Sequence, residues 1–570
     1  MTTLNAGSLD PIGDSDWSVD LAGHLLERAG FGGTPEEIAR LAAMTPAQAV
    51  DAMLSGGDTS DLPDFEESGV WDETLKDFPP SRPAATELAE RTGEAMGVRV
   101  KPGGKRPLQP VTDRFFYWLR ATVLETRRFG FWWMDRMVRS PHPLQEKMTL
   151  FWHGHFATSE EKLRDYRKIR QQIDTLRAGA LGRFGTLLTD VSKDAAMLVF
   201  LDASHNVKGA PNENFGREVM ELFTMGVGNY SEDDIREAAR AFTGWGNDDL
   251  SFVFDPDKHD AGEKHFLGRT GHFDGDDILS IILEQEQTGI YIASKIYRNF
   301  VRHDLSPDLA AKLGAVFREM DYDIAGFLRV LFLSQDFYSP AAQAAHIKSP
   351  TELVISTYRK LGLDALPGVP DPYSVGRTLG QMLLYPPTVA GWGEGRAWIT
   401  PGLLFERGNF AQQVLFPDMI SFVDPMLNPG GEVRRVNLNI NAGQEITAAT
   451  LEEGAADSSA AGIQETFNTR YASLRGWQEA MRRIKPIPRA PGQFRVADFV
   501  EGAETTAEAV DRLAARFLRS PLDPAVRDAL IEMLNDELGT DRLDEAESYL
   551  EHPLRLATHG IMSTPQYQLA

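Results

Sequence analysis

Cysteine is absent from the 570 residues. Disulfides, thiolate nucleophiles, cysteine-ligated zinc and iron–sulfur clusters are therefore excluded. A metal would have to be held by His, Asp, Glu or backbone oxygen, which leaves zinc, iron, manganese, copper, magnesium or calcium. No run approaches eighteen uninterrupted apolar residues, so no membrane span is expected. The opening MTTLNAGSLDPIGDSDW lacks both the basic and the apolar segment of a Sec or twin-arginine leader. Cytoplasmic location is the expectation, with export left open for a chain whose leader was removed. Positive charge is scarce: 58 Lys and Arg stand against 83 Asp and Glu, a net charge of −25. Phosphate backbones repel such a chain, so nucleic acid is not an expected partner. GxSxG, P-loop and HExxH motifs are missing, as is GxGxxG in a strand–turn–helix setting.

Alternating strand patterns are also scarce. RRVNLNINA (434–442) and FRVADFV (494–500) are the best candidates, so the minor β element is expected late in the chain. Helix starts are abundant. Thr34-Pro35-Glu36-Glu37 and Ser349-Pro350-Thr351-Glu352 each order a cap, a first-turn proline and a capping-box glutamate. Thr45-Pro46, Ser306-Pro307, Ser339-Pro340 and Ser520-Pro521 are weaker versions. The expected class is mainly α, a large helical domain with long loop insertions. Its parts are a disordered N-terminus (1–16), a helical hairpin (17–56), an insertion (57–108) and a main helical domain (109–427). A flexible insertion (428–465) and a C-terminal helical segment (466–570) packing on the main domain follow. A chain of this length exceeds one small core.

With twelve histidines in all, the pair in FWHGHFATS (151–159) stands out. His153 and His155 share no helix face at a spacing of two. For both to reach one ion the backbone must leave the helix, which Gly154 would ease. The alternative is a helix cap and a backbone hydrogen bond. In NENFGREVMELFTMGVG (212–228), helical spacing places Glu218 beside Glu221, with Arg217 between Asn214 and Glu221. Carboxylates beside a core stripe are costly unless paired or cation-bound. A buried Glu–Arg pair is the plain explanation, and a metal ligand or a general base the sharper one. The loop DPDKHDAGEKHFLG (255–268) carries His259, Asp260 and Lys264, which suit a ligand with its orienting partner or a solvated polar loop. LYPPTVAGWGEGRAWIT (384–400) offers Trp392 and Trp398, either as walls for a sugar or apolar ligand or as a seal over the core.

The ordered set HLLERAGFGGTPEEI (24–38), KMTLFWHGHFATS (147–159), NENFGREVMELFTMGVGNYSEDDIREAARAFTGW (212–245), HDAGEKHFLGRTGHFDGDDIL (259–279) and PPTVAGWGEGRAWI (386–399) resembles the bacterial family known as domain of unknown function 1800. The resemblance runs through roughly residues 20–420 and again near the C-terminus. It implies that the polar motifs form one unit, and it suggests a sulfatase-like partner protein encoded nearby and, for many members, export. Phe223 stands where many relatives carry histidine.

Convergence of these motifs would gather imidazoles and carboxylates into a nitrogen/oxygen set with open positions, the makings of a catalytic metal site. The leading expectation is a metal-dependent hydrolase or oxidoreductase acting on an unknown small-molecule or polymer substrate. His153, His155, His259 and Asp260 would hold a divalent ion: zinc, iron, manganese or copper. Glu218 and Glu221 would supply a ligand or the general base, with Arg217 and Lys264 handling substrate charge. Asn214, Trp392 and Trp398 would line the substrate. The alternative is a non-catalytic binding or scaffold protein whose buried polar networks fix helix packing. Metal-free acid–base catalysis by Glu218 and His259 ranks last, because adjacent carboxylates on one helix flank a glycosidic bond poorly.

Overall fold

The computed structural model describes residues 4–55, 62–72, 75, 109–419 and 469–570. The expected insertions at 57–108 and 428–465, and the strand candidate at 434–442, lie wholly or largely outside the described residues. Capping chemistry sets the first elements. Thr34 accepts from the Glu37 amide while Glu37 reaches back to the Thr34 amide, which starts α2 (Pro35–Ala42) behind α1 (Val19–Ala29). Thr45 and Gln48 repeat the box for α3 (Pro46–Leu54). The N-terminal unit is thus three helices where a hairpin is expected. Residues 5–12, expected to be disordered, run along 333–336, with the Ile12 amide donating to Leu333 and the Asp336 amide to Ser8.

Two long helices frame the centre. The helix α4 (Gln109–Arg139) leads into α5 (Pro143–His155), and α6 (Tyr166–Gly179) packs across both. Glu146 joins them: its carboxylate accepts from Trp133 Nε1 at 2.9 Å, Arg136 at 2.6 Å and Arg177 at 3.1 Å. A buried carboxylate is tolerated because these donors surround it. Next come α7 (Asn214–Glu218), a single π-type segment (Val219–Thr224) and α8 (Glu232–Ala241), which starts from the Ser231–Asp234 capping box.

The strands occur in mid-chain. β1 (Trp245–Asp248) pairs antiparallel with β2 (Ser251–Phe254), and β3 (Lys264–Phe266) with β4 (Arg269–Gly271). The expectation of a strand at 494–500 is corrected: Val496–Phe499 is a short helix. Its first amides, Val496 and Ala497, donate to the Glu551 carboxylate at 3.0 and 2.9 Å, a tertiary cap that overrides the local alternation. Ser520-Pro521 likewise starts no helix. Asp523 caps the one beginning at Pro524.

Downstream lie α9 (Glu286–Phe300), α10 (Pro350–Lys360), α11 (Pro401–Leu415) and α12 (Thr469–Arg483), the last lying along α4. Most buried apolar side chains form one cluster from Ile12 to Tyr567, with Phe115 and Phe116 in a small one apart from it. A charged network crosses that core. Glu27 of α1 accepts from Lys348 at 2.9 Å and Lys360 at 2.8 Å, and Lys147 of α5 pairs with Glu352 at 2.9 Å. Gly32 follows with φ +72°, and a Cβ there would meet Glu27 Oε2 at 2.6 Å, so the GFGG stretch is shaped to admit this carboxylate. Among the described residues no helix is long and apolar enough to cross a membrane.

Candidate functional site

The helix α5 runs unbroken through Gly154 to His155. At about 100° per residue, two positions turn the side chains roughly 200° apart. The two imidazoles therefore face different surroundings. His153 is fully buried between Trp133 and Trp392, both edge-on at 5.7 and 5.2 Å between ring centres. Among the described residues neither of its ring nitrogens has a hydrogen-bond partner, and burial holds its pKa down at about 3. His155 faces the opposite side, stacked on Phe151 and edge-on to Phe156.

His155 Nε2 lies 3.0 Å from the carbonyl oxygen of Phe223. A carbonyl only accepts, so Nε2 carries the proton and Nδ1 is the acceptor. Nδ1 lies 3.1 Å from Lys295 Nζ of α9, so the amine donates to the imidazole. Burial and the neighbouring Lys295 charge hold His155 well below the ordinary histidine range, and the ring is neutral. Lys295 is part-buried, and among the described residues no carboxylate lies within ion-pair distance of it. Burial pushes its pKa below that of an ordinary lysine, while the Glu394 carboxylate opposes the shift.

The π-type segment supplies the carboxylates. Its widened turn takes the Thr224 hydroxyl to the Val219 carbonyl and brings the Phe223 carbonyl to His155. Glu221 accepts from the Tyr230 hydroxyl at 2.8 Å. Burial, then the Glu221 charge, raises the pKa of half-buried Glu218. Tyr291, one turn before Lys295 on α9, donates to the Leu222 carbonyl at 3.1 Å. Burial and the charges of Glu394 and Glu221 raise its pKa. Lys295, Glu394, Tyr291, Glu221 and Glu218 are thus linked electrostatic neighbours.

The loop 384–400 closes one side. Gly391, at φ +87°, lies so near that a Cβ would collide with the Gly154 carbonyl oxygen. This contact seats Trp392 against His153 and carries Glu394 toward Lys295. Trp398 instead seals the core: it is buried and its carbonyl accepts from Arg407 at 3.1 Å.

Other expected residues are occupied elsewhere. Arg217, expected to handle substrate charge, pairs with Glu213 and Glu232, each at 3.0 Å. Asn214 is exposed at the start of α7. His259 Nδ1 donates to the Thr243 carbonyl at 2.9 Å, with its ring edge-on to Phe254. Asp260 is bound to Arg240 at 2.8 Å, which holds its pKa at about 2. Lys264 is buried and donates to the carbonyls of Asp260 and Gly262 at 2.6 and 3.1 Å. This loop is stapled to α8 and the turn after it, and these bonds engage no residue of the His155 cluster.

His153 and His155 therefore do not converge on one point. Among the described residues, no group of three or more His, Asp or Glu is arranged to hold a metal ion. The cluster that does form joins His155, Glu218 and Glu221, from expected motifs, with Lys295, Tyr291, Tyr230 and Glu394. Lys295 left a trace in the sequence, since it falls on the buried stripe of α9 beside Ile292 and Ile296. A narrow crevice lined by Met134, Tyr373 and Gln381, among others, shares no residue with the cluster.

The model of a family described as "Protein of unknown function (DUF1800)" matches residues 24–569. No curated protein and no solved structure shows a significant match to the chain.

Proposed function

The chain belongs to the family described as a protein of unknown function (DUF1800), and from the geometry around His155 we propose that it is an enzyme whose reactive group is the ε-amine of Lys295. One observation carries the reading: a part-buried lysine that is bonded to a neutral imidazole and, among the described residues, to no carboxylate. Lys348 and Lys360 are placed differently, each pairing with Glu27. An amine kept from a counter-ion and partly desolvated is biased toward its neutral form, which is the form that abstracts protons or attacks electrophiles.

The roles follow from contact and charge. His155 is a positioning residue that fixes one N–H of the amine. Glu218, whose pKa is raised, is suited to donate a proton, and Glu221 with Tyr230 forms a hydrogen-bonded acceptor beside it. The charge of Glu394, which acts on the amine, disfavours phosphorylated or carboxylated substrates and favours neutral or cationic ones. The metal centre expected from the sequence enters no step, because its expected ligands face apart.

A second reading, a scaffold protein, is favoured by the HLLERAGFGGTPEE and HDAGEK motifs, whose charged groups are used in fixing helices and loops. The two are separated by incubating wild type and Lys295→Met with a mixture of neutral and cationic metabolites, with and without a chelator. Products are followed by mass spectrometry and folding by melting curve. The enzyme reading expects conversions by wild type, indifferent to chelator and lost in a Lys295→Met protein that melts normally. Conversions that persist in the variant, need metal, or never occur in wild type would overturn it.

A further inference from the structure

We infer that Lys295 acts as a covalent nucleophile, forming an imine with a neutral aldehyde or ketone substrate through its Nζ atom held by His155. This inference rests on the assignment of Lys295 as the reactive group and names its substrate class. Three geometric facts carry it. First, the Phe223 carbonyl fixes the proton of His155 on Nε2, so Nδ1 takes one N–H of Lys295 and the remaining valences of Nζ point elsewhere. Second, the lysine stem leaves α9 between the buried Ile292 and Ile296, which limits where the amine can swing. Third, no carboxylate among the described residues lies close enough to bond the amine, yet Glu394 and Glu221 are electrostatic neighbours of the adjoining Tyr291. An attacking amine needs its lone pair unobstructed and acids one step away.

The chemistry balances without an oxidant or reductant. The Nζ lone pair attacks the carbonyl carbon, forming the C–N bond, and the carbonyl oxygen takes a proton to become hydroxyl. The resulting carbinolamine loses that hydroxyl as water and the nitrogen loses its remaining proton. Amine plus carbonyl thus gives imine plus water. Glu394 can relay the protons, and its charge selects against oxo-acids. A neutral carbonyl compound, such as a hydroxyaldehyde or a free sugar, fits both demands.

The test is reductive trapping. The full-length protein is incubated at pH 7 with glycolaldehyde and cyanoborohydride, and each lysine is scored by peptide mapping. The expected result is adduct at Lys295 about tenfold above the exposed Lys312, with little adduct when glyoxylate, the anionic counterpart, replaces glycolaldehyde. His155→Asn, whose amide can still accept a hydrogen bond, is expected to keep part of the preference, and His155→Phe to lose it. Labelling of Lys295 no faster than Lys312, or equal labelling by glyoxylate, overturns the imine proposal. If labelling fails while Lys295→Met still abolishes conversion of a substrate, the reactive-lysine assignment stands and only the covalent step falls. If conversion survives in Lys295→Met, the assignment itself falls.

Discussion

Nε2 of His155 and the carbonyl oxygen of Phe223 stand 3.0 Å apart, and that single bond decides which ring nitrogen meets Lys295. The family resemblance implies a histidine at position 223 in many relatives. In this chain the backbone of that residue does the contacting, and its phenyl ring packs against Phe156 at 5.3 Å.

The charge environment of Lys295 gives the first expected outcome. Burial lowers its pKa and Glu394 raises it again, while His155 is neutral and the ionised form of Tyr291 lies far above neutral pH. Glu394→Gln removes a carboxylate that stabilises the ammonium. The titration of Lys295 then moves to lower pH, because an opposing charge has been removed. Competitive acetylation of Lys295 across pH 6–10 reads this directly. An unchanged or upward-shifted profile would mean that Glu394 does not face the amine.

Much of the fold was legible because local chemistry and tertiary packing agree. Thr34, Thr45, Ser306 and Ser349 all cap helices as their neighbours in sequence imply. The site was legible only in part. His155, Glu218 and Glu221 stood out as polar groups in apolar stretches. Lys295 did not, because a lysine inside an amphipathic helix is usually a solvated one. His153 and His259 misled for a common reason: residue type does not disclose direction. An unbroken α5 turns His153 away from His155, and the Thr243 carbonyl takes the His259 ring.

The Glu27 network is a stability test. Glu27 is buried with two ammonium groups, Lys348 and Lys360, within 2.9 Å. Glu27→Gln leaves both charges in the core, where carbonyls of Tyr567 and Phe517 and the Tyr567 ring are their remaining partners. The loss should be about 3–5 kcal/mol, read from urea unfolding. Adding Lys360→Met should restore part of it, because one uncompensated charge goes with the side chain. If the double variant is less stable than Glu27→Gln alone, packing and not charge governs this region.

Two glycines that touch the same loop should respond oppositely. Gly391 sits at φ +87° with its Cβ position blocked by the Gly154 carbonyl. Gly391→Ala should cost about 1–3 kcal/mol and shift tryptophan fluorescence as Trp392 moves. Gly154 is inside α5, and a Cβ there meets Trp392 at an ordinary 3.9 Å. Gly154→Ala should be neutral or stabilising by up to about 1 kcal/mol. Equal melting temperatures for the two variants would mean that the loop does not rest on this turn.

Glu160, five residues beyond His155, links stability to pH. Its carboxyl is buried, accepts from the Thr122 hydroxyl at 3.0 Å, and has its pKa raised to about 8 by burial and by the Asp165 charge. In the unfolded chain the same group titrates near 4.3. Between those two values the folded state holds a proton that the unfolded state has released, so stability falls as pH rises. The contribution is complete below about pH 4 and is gone above about pH 8. Glu160→Gln keeps an acceptor for Thr122 but cannot ionise, so its unfolding free energy should lack this slope. Measured against wild type by urea unfolding at pH 5, 6.5 and 8, the variant should gain relative stability on the order of 2–4 kcal/mol across the range. Parallel curves would mean that Glu160 is ionised in the folded protein, and a partner cation would then have to lie beside it.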